Sequence, residues 1–340
     1  MATEETGNAL IPAPQHDWYA IIDLVTNSVD SPHSKRAYSR ALIDFLDWYE
    51  ENGRPGFSKA VVNAYREEML LAGKSRSSIN QALSAIRKLA TEAADNGLVP
   101  PPLAYGVERV KGVKQEGVRA GNWLTQPEAQ TLINAPIHRW RREEIPILKA
   151  IRDQAILAVL VGAGLRRAEA ASLSWERIQQ RDGRWAIIDL VGKRGRVRSI
   201  GIPPWVKAAL DQWASASGVR QGRIFRALNK DGQLAGRVRT KGGYRTDGNL
   251  TPQAIYNIVA EHARAAGFIN RKGEPTIAAH DLRRTAAALA LQGGADLRQI
   301  QQMLGHASIT TTERYLEPMR SLQVTAGDFI QIELAQPFTQ

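Results

Sequence analysis

The 340-residue chain has no cysteine. That excludes a disulfide framework, a thiolate nucleophile and any zinc or iron-sulfur site built on sulfur, and it fits a reducing compartment. Aromatic residues are sparse, at 6%. Long apolar runs are missing as well: the longest stretch of apolar residues and glycine, Ala155 to Leu165, falls short of the roughly 20 residues that cross a bilayer. The first ten residues, with Glu4 and Glu5, lack the basic start and apolar middle of a secretory leader. A soluble, cytoplasmic protein with no membrane partner is expected.

What the chain does have is a 43% hydrophobic fraction, enough for two domains with cores of their own, and a net charge of +11. The charge is localised. Residues 181–245 hold 15 Lys and Arg against four Asp, so this one region supplies the entire excess while the remainder sums to zero. A solvated surface needs charges of both signs, whereas a block of one sign matches a large polyanion.

Apolar residues recur at helical spacing from Trp18 to Leu89, with breaks at Ser31-Pro32, Asn52-Gly53 and Gly73, and Gly97 with Pro100 to Pro102 closes the set. This predicts four or five helices in an all-α domain over residues 16–110, preceded by a flexible N-terminus over 1–15. Residues 111–121 are polar, aperiodic and glycine-containing, as in a linker. A second domain is expected over 122–320, mainly helical with a small antiparallel sheet. Its β-prone runs, Trp185 to Val191 and Val197 to Ile202, flank a basic turn and read as a hairpin. Helices are expected near 205–215, 251–266, 282–292, 296–304 and 308–316. Trp123, Trp140, Trp175, Trp185, Trp205 and Trp213 are expected in the core.

Four short segments of the second domain place polar residues at the ends of apolar elements, where side chains can converge. Gly162 to Glu169 puts Arg166 just after a glycine-rich helix end. Ala279 to Thr285 offers His280 and Arg283, three apart at a helix start. Leu304 to Ser308 puts His306 behind a capping glycine, and Thr310 to Tyr315 ends nine residues beyond that histidine. Taken singly, each has an ordinary structural reading: a helix-end arginine paired to Glu169, an N-cap histidine, a loop histidine, a half-buried tyrosine. Four such coincidences in order are far less expected than one shared site.

In order and spacing, these residues resemble the signature of the tyrosine recombinase (phage integrase) family, across roughly Thr125 to Pro318, and the preceding helical domain resembles that family's core-binding domain. The resemblance implies Arg166, His280, Arg283 and His306 as catalytic residues, Lys193 in the hairpin turn as a further one, Glu169 as a supporting acid and Tyr315 as the nucleophile. Arg284 stands where many relatives carry a second histidine. It also implies double-stranded DNA with an inverted-repeat recombination site as substrate, and a homo-tetramer exchanging strands through a Holliday junction. A C-terminal tail over 321–340 is expected to dock on a neighbouring protomer, and no arm-type DNA-binding module is expected before residue 16. Localisation with the nucleoid follows.

The chemistry explains the residue types. Attack on a phosphodiester builds negative charge on a pentavalent phosphorus, which paired arginines stabilise with fixed-geometry hydrogen bonds. A phenol, with an ordinary pKa of about 10, is a better nucleophile precursor than an aliphatic alcohol. A lysine can protonate the leaving oxygen. No cofactor is expected, and no metal: the two site histidines lie 26 positions apart with arginines between them, and no carboxylate cluster accompanies them. Phosphate contacts are expected from Lys35, Arg36, Arg40, Lys74, Arg76, Arg87 and Lys88 in the first domain and from Arg194, Arg196, Arg198 and Lys241 in the second, the two domains forming a clamp. Rival readings are a DNA-binding protein of this fold without turnover, and a type IB topoisomerase-like or telomere-resolving enzyme.

Overall fold

A computed structural model describes residues 18–53, 56–114, 122–192, 195–236, 238–240, 243–245 and 247–316. The expected N-terminal and C-terminal segments, most of the linker, and Lys193, Arg194 and Lys241 lie outside the described residues. The chain divides into two compact units, residues 1–119 and 120–340.

The first unit is all helical: α1 (Trp18–Asn27), α2 (Pro32–Glu51), α3 (Lys59–Leu71), α4 (Arg76–Asp95) and α5 (Pro101–Glu108). Serines set three of the starts. Ser31, Ser58 and Ser75 are extended, and each side chain accepts the backbone N–H three residues on, satisfying a donor that the first turn leaves open. Leu42, Phe45, Leu46, Ile79, Leu83, Ile86 and Leu89 are almost completely buried between α2 and α4. Tyr65 of α3 closes the core against Phe45 and Trp48, with ring centroids 5.1 and 5.0 Å away. The Pro100 to Pro102 run opens a helix where the sequence predicted only an end. Proline suits the first helical position, whose N–H has no intrahelical partner.

The second unit begins with α6 (Gln126–Arg141), where Glu128 accepts both the Thr125 N–H at 2.8 Å and its hydroxyl at 2.7 Å. α7 (Ile147–Gly162) runs through the middle of the core, with Ala155 to Leu160 at 1% exposure or less. Its first turns bury a charge cluster. Asp153 accepts from Arg152 at 2.7 and 2.8 Å, Lys149 at 3.1 Å and His262 at 2.9 Å. Burial opposes that carboxylate's charge, but the Arg152 guanidinium and the His262 bond outweigh it and hold Asp153 well below the usual carboxylate range.

After α8 (Arg167–Ser172) comes a three-stranded antiparallel sheet of β1 (Ile178–Arg181), β2 (Arg184–Val191) and β3 (Val197–Gly201), with β2 in the centre. The predicted hairpin is β2–β3, in register at Val191 opposite Val197. β1 and the small β4 (Val238–Thr240) and β5 (Gly243–Arg245) ribbon were not predicted. The remaining helices, α9 (Pro204–Ser217), α10 (Pro252–Ala265), α11 (Ala279–Gln292), α12 (Leu297–Leu304) and α13 (Ile309–Leu316), fall within a few residues of expectation. Ala287, Ile300, Leu304 and Leu316 form a satellite core that joins the last three. The tryptophans divide. Trp213 is fully buried, but Trp140, Trp185 and Trp205 are 40%, 37% and 45% exposed, a correction to the expected core set. Lys207 lies 3.9 Å above the Trp185 ring, which explains how that indole stays at the surface.

Candidate functional site

Three separated stretches of chain meet at the site: the turn after α7, the start of α11, and the link from α12 to α13. The α7 end turns sharply at Gly164, which adopts a positive φ of 58°; a β carbon placed there would stand 3.3 to 3.6 Å from Leu304, Ala286 and Met303. Arg166 then caps α8. Its backbone N–H donates to Glu169 Oε2 and its Nη1 donates to Oε1, both at 2.8 Å, and its side chain remains 32% exposed.

Arg283, one turn into α11, is 1% exposed and donates Nη1 to the Gly164 carbonyl and Nη2 to the Leu304 carbonyl. A single buried guanidinium therefore ties the α7 turn to the last turn of α12. His280, at the solvent-facing start of α11, is lowered from its ordinary value by desolvation and by the Arg284 and Arg283 guanidiniums. His306 follows Gly305, whose φ of 62° ends α12 in the left-handed conformation. Its Nδ1 lies 3.0 Å from the hydroxyl of Thr312, a fully buried residue of α13. Burial, then Arg283, Arg166, Arg198 and His280, push the His306 imidazole down to about 4.

The Arg283 bonds to the Gly164 and Leu304 carbonyls place the chain around Arg166 next to the chain around His306, and together with His280 these residues make a cation-rich candidate site. The hairpin turn borders it: a β carbon placed on Gly192 would stand 3.2 Å from Arg198 Nη1 and 3.7 Å from Arg166 Nη1. A groove of about 240 Å³ runs between this turn and α12, lined by Arg196, Arg198, Arg298, Gln301 and His306 among others. Tyr315 lies on α13, one turn beyond Thr312; its side chain, like Lys193, lies outside the described set. Among the described residues no group of three or more His, Asp or Glu could hold a metal ion.

Two of the expected DNA contacts turn inward. Arg198 is 9% exposed and donates to both oxygens of Glu169 at 2.9 Å and to the Met303 carbonyl at 3.2 Å. Arg87 donates to the Val110 carbonyl and buries its Nε, so it braces the first unit. Lys88 pairs with Glu92 at 3.1 Å. Arg76 is exposed but donates to the Lys114 carbonyl. Arg36, Arg40 and Lys74 line a groove of about 890 Å³ together with Asp44, Asp47 and Glu51 of α2, the helix that also carries Arg36 and Arg40, and Lys35 sits on the neighbouring face of that helix. Arg196 is exposed at the hairpin. Sequence reasoning missed Thr312 as the partner of His306; the sequence shows only a threonine one turn before Tyr315, and its full burial emerges from the structure.

Residues 122–321 match the model of the phage integrase family, and residues 21–97 match that of the phage integrase N-terminal SAM-like domain. The chain belongs to the phage integrase family. Its relatives carry the name tyrosine recombinase. The chain is 28% identical over 286 residues to tyrosine recombinase XerC of Thermodesulfovibrio yellowstonii, covering 84% of this chain and 86% of that one. It is 28% identical over 333 residues to tyrosine recombinase XerD of Chlorobaculum tepidum, covering 92% and 96%. In fold it is similar to a lambda integrase tetramer bound to a Holliday junction, with a TM-score of 0.65 at 18% identity, over 91% of this chain and 79% of that one. The integrase fold is thus mostly helical with a small antiparallel sheet, and no helix among the described residues is long and apolar enough to cross a membrane.

Proposed function

We propose that this integrase-family chain is a site-specific DNA recombinase that cuts and rejoins DNA through a 3′-phosphotyrosyl bond at Tyr315. The observation that carries the reading is the meeting of Arg166, Arg283, His280 and His306, residues up to 140 positions apart, around the Arg283 guanidinium that holds the Gly164 and Leu304 carbonyls together, where burial first and the neighbouring cations second keep His306 neutral. Cations that outnumber the nearby acids Glu169 and Asp281 form a site that accepts an anion carrying extra charge.

In the proposed cleavage, the Tyr315 oxygen attacks the phosphorus while its proton passes to a base, the role that falls to His280. The bond from phosphorus to the 5′ oxygen breaks, and Lys193 supplies the proton that this oxygen takes up. Arg166 and Arg283 bear the charge on the non-bridging oxygens. His306 takes part as a neutral donor: in the tautomer whose Nδ1 accepts from the Thr312 hydroxyl 3.0 Å away, the ring N–H sits on Nε2 and is available to the phosphate. Attack by a second 5′ hydroxyl reverses each step and reseals the strand without nucleotide hydrolysis. Strand exchange in a homo-tetramer on paired inverted-repeat sites, through a Holliday junction, completes the reading. The fold's likeness to the junction-bound lambda integrase supports it.

A suicide DNA substrate that traps the covalent intermediate tests this. An adduct forming in EDTA, mapped to Tyr315 and lost in Tyr315→Phe, is the expected result. An adduct on another side chain, a strict Mg²⁺ requirement for cleavage, or no adduct on the cognate site would overturn it.

A further inference from the structure

We propose that Arg198 is a positioning residue for DNA cleavage: by gripping Glu169 and the last turn of α12 together, it sets the spacing between Arg166 and His306 and leaves Arg166 its positive field. The inference rests on the recombinase reading above and extends it to a residue that touches no DNA.

The geometry is a chain of contacts across three elements. Glu169 on α8 receives the Arg166 backbone and Nη1 on one side and both Nη groups of Arg198 on the other. Arg198, on β3, directs its remaining edge through Nε to the Met303 carbonyl in α12, three residues before His306. The backbone of α12 then rests on the same side chain. A β carbon on Gly305 would stand 2.7 Å from Arg198 Cδ and 3.1 Å from Cζ, so only glycine admits this approach. A planar guanidinium bonds two carboxylate oxygens with one edge and a carbonyl with another, which a lysine ammonium cannot reproduce.

The charges argue the same way. Paired with Arg166 alone, Glu169 would cancel the cation meant for the phosphate. Arg198 supplies a second positive charge to the carboxylate from the inside, being 9% exposed where Arg166 is 32% exposed. The trio keeps one net positive charge, and the exposed arginine is the member able to meet an anion.

The experiment measures single-turnover adduct formation at saturating DNA, together with Kd, in the full-length protein and in Arg198→Lys, Glu169→Gln and the double variant. Either single substitution is expected to slow adduct formation by roughly ten- to a hundredfold while Kd changes by less than about twofold. The double variant is expected to be no slower than the worse single one, because both act through one linkage. A weaker Kd and a shallower salt dependence with an unchanged saturating rate would make Arg198 a phosphate contact and overturn the proposal. Equal rate loss in Leu132→Ala, a remote core variant used under conditions that match its melting temperature to that of Arg198→Lys, would reduce the effect to stability and overturn it too. Adduct persisting in Tyr315→Phe would instead sink the recombinase reading itself, and so the two failures are distinguishable.

Discussion

His306 sits where protonation is opposed from every side: burial disfavours the charged form, and the guanidiniums of Arg283, Arg166 and Arg198 repel it. An ordinary imidazole titrates near 6.5, so in the unfolded chain this ring binds a proton at a higher pH than in the folded one. Its stabilising contribution is therefore complete above about pH 6.5 and is lost as the pH falls toward 4. His280 is shifted in the same direction. An NMR titration of the histidine ring signals is expected to give His306 a midpoint of about 4 and His280 a midpoint below 6.5. Melting temperature is expected to fall between pH 6.5 and 4, less steeply in His306→Gln than in the parent. A His306 midpoint at its ordinary value would mean that the cations do not converge on it, and the proposed neutral donor would fall with them.

Gly305 shows how one element end constrains several others. Its φ of 62° is a conformation that costs an L residue roughly 1–2 kcal/mol, and the Arg198 side chain fills the space a β carbon needs. Gly305→Ala is expected to destabilise the protein by at least that amount in chemical denaturation. It is also expected to slow adduct formation beyond the loss of folded protein, since Arg198 must shift to make room. An adduct rate per folded molecule equal to that of the parent would separate the cap from the site. The long helices were legible in the sequence because their apolar faces repeat every three to four residues and serine or proline marks their starts. The β1 strand was not, with only Ile178 buried among four residues, nor was the three-residue β4–β5 ribbon. The candidate site residues stood out in the sequence through their order and spacing, but the partners of those described did not. Counting Arg198 into a basic block treated it as outward-facing, although strand alternation already placed it on the same face as Ile200, which is 5% exposed. Trp185 and Trp205 went the other way, because an indole's size predicts burial while its surroundings decide it.

At the scale of the whole molecule, the +11 charge is less available to a partner than its sum implies. Within the basic block, Arg198 is bound to Glu169, Arg223 donates to the Ala171 carbonyl, Arg226 to the Asp247 carbonyl, and Lys207 pairs with Asp211 at 2.7 Å. Arg87 in the first unit is likewise internal. Fewer cations than the 15 counted in residues 181–245 thus remain to displace counterions from DNA. For about 6–10 phosphates neutralised, the logarithm of affinity should fall against the logarithm of salt with a slope of roughly −5 to −9. Fluorescence anisotropy with a labelled duplex from 50 to 200 mM salt measures it. Replacing Arg36, Arg40 and Lys74 together by glutamine is expected to make the slope shallower by about 3, since each exposed cation on the first unit counts for one phosphate. Replacing Arg198 is expected to leave the slope unchanged, because its charge already belongs to Glu169. A parent slope near −1 would show that the basic block is ordinary solvated surface. A slope beyond about −12 would show that the internally paired arginines release their partners when DNA binds, making the brace around Glu169 a feature of the free protein alone.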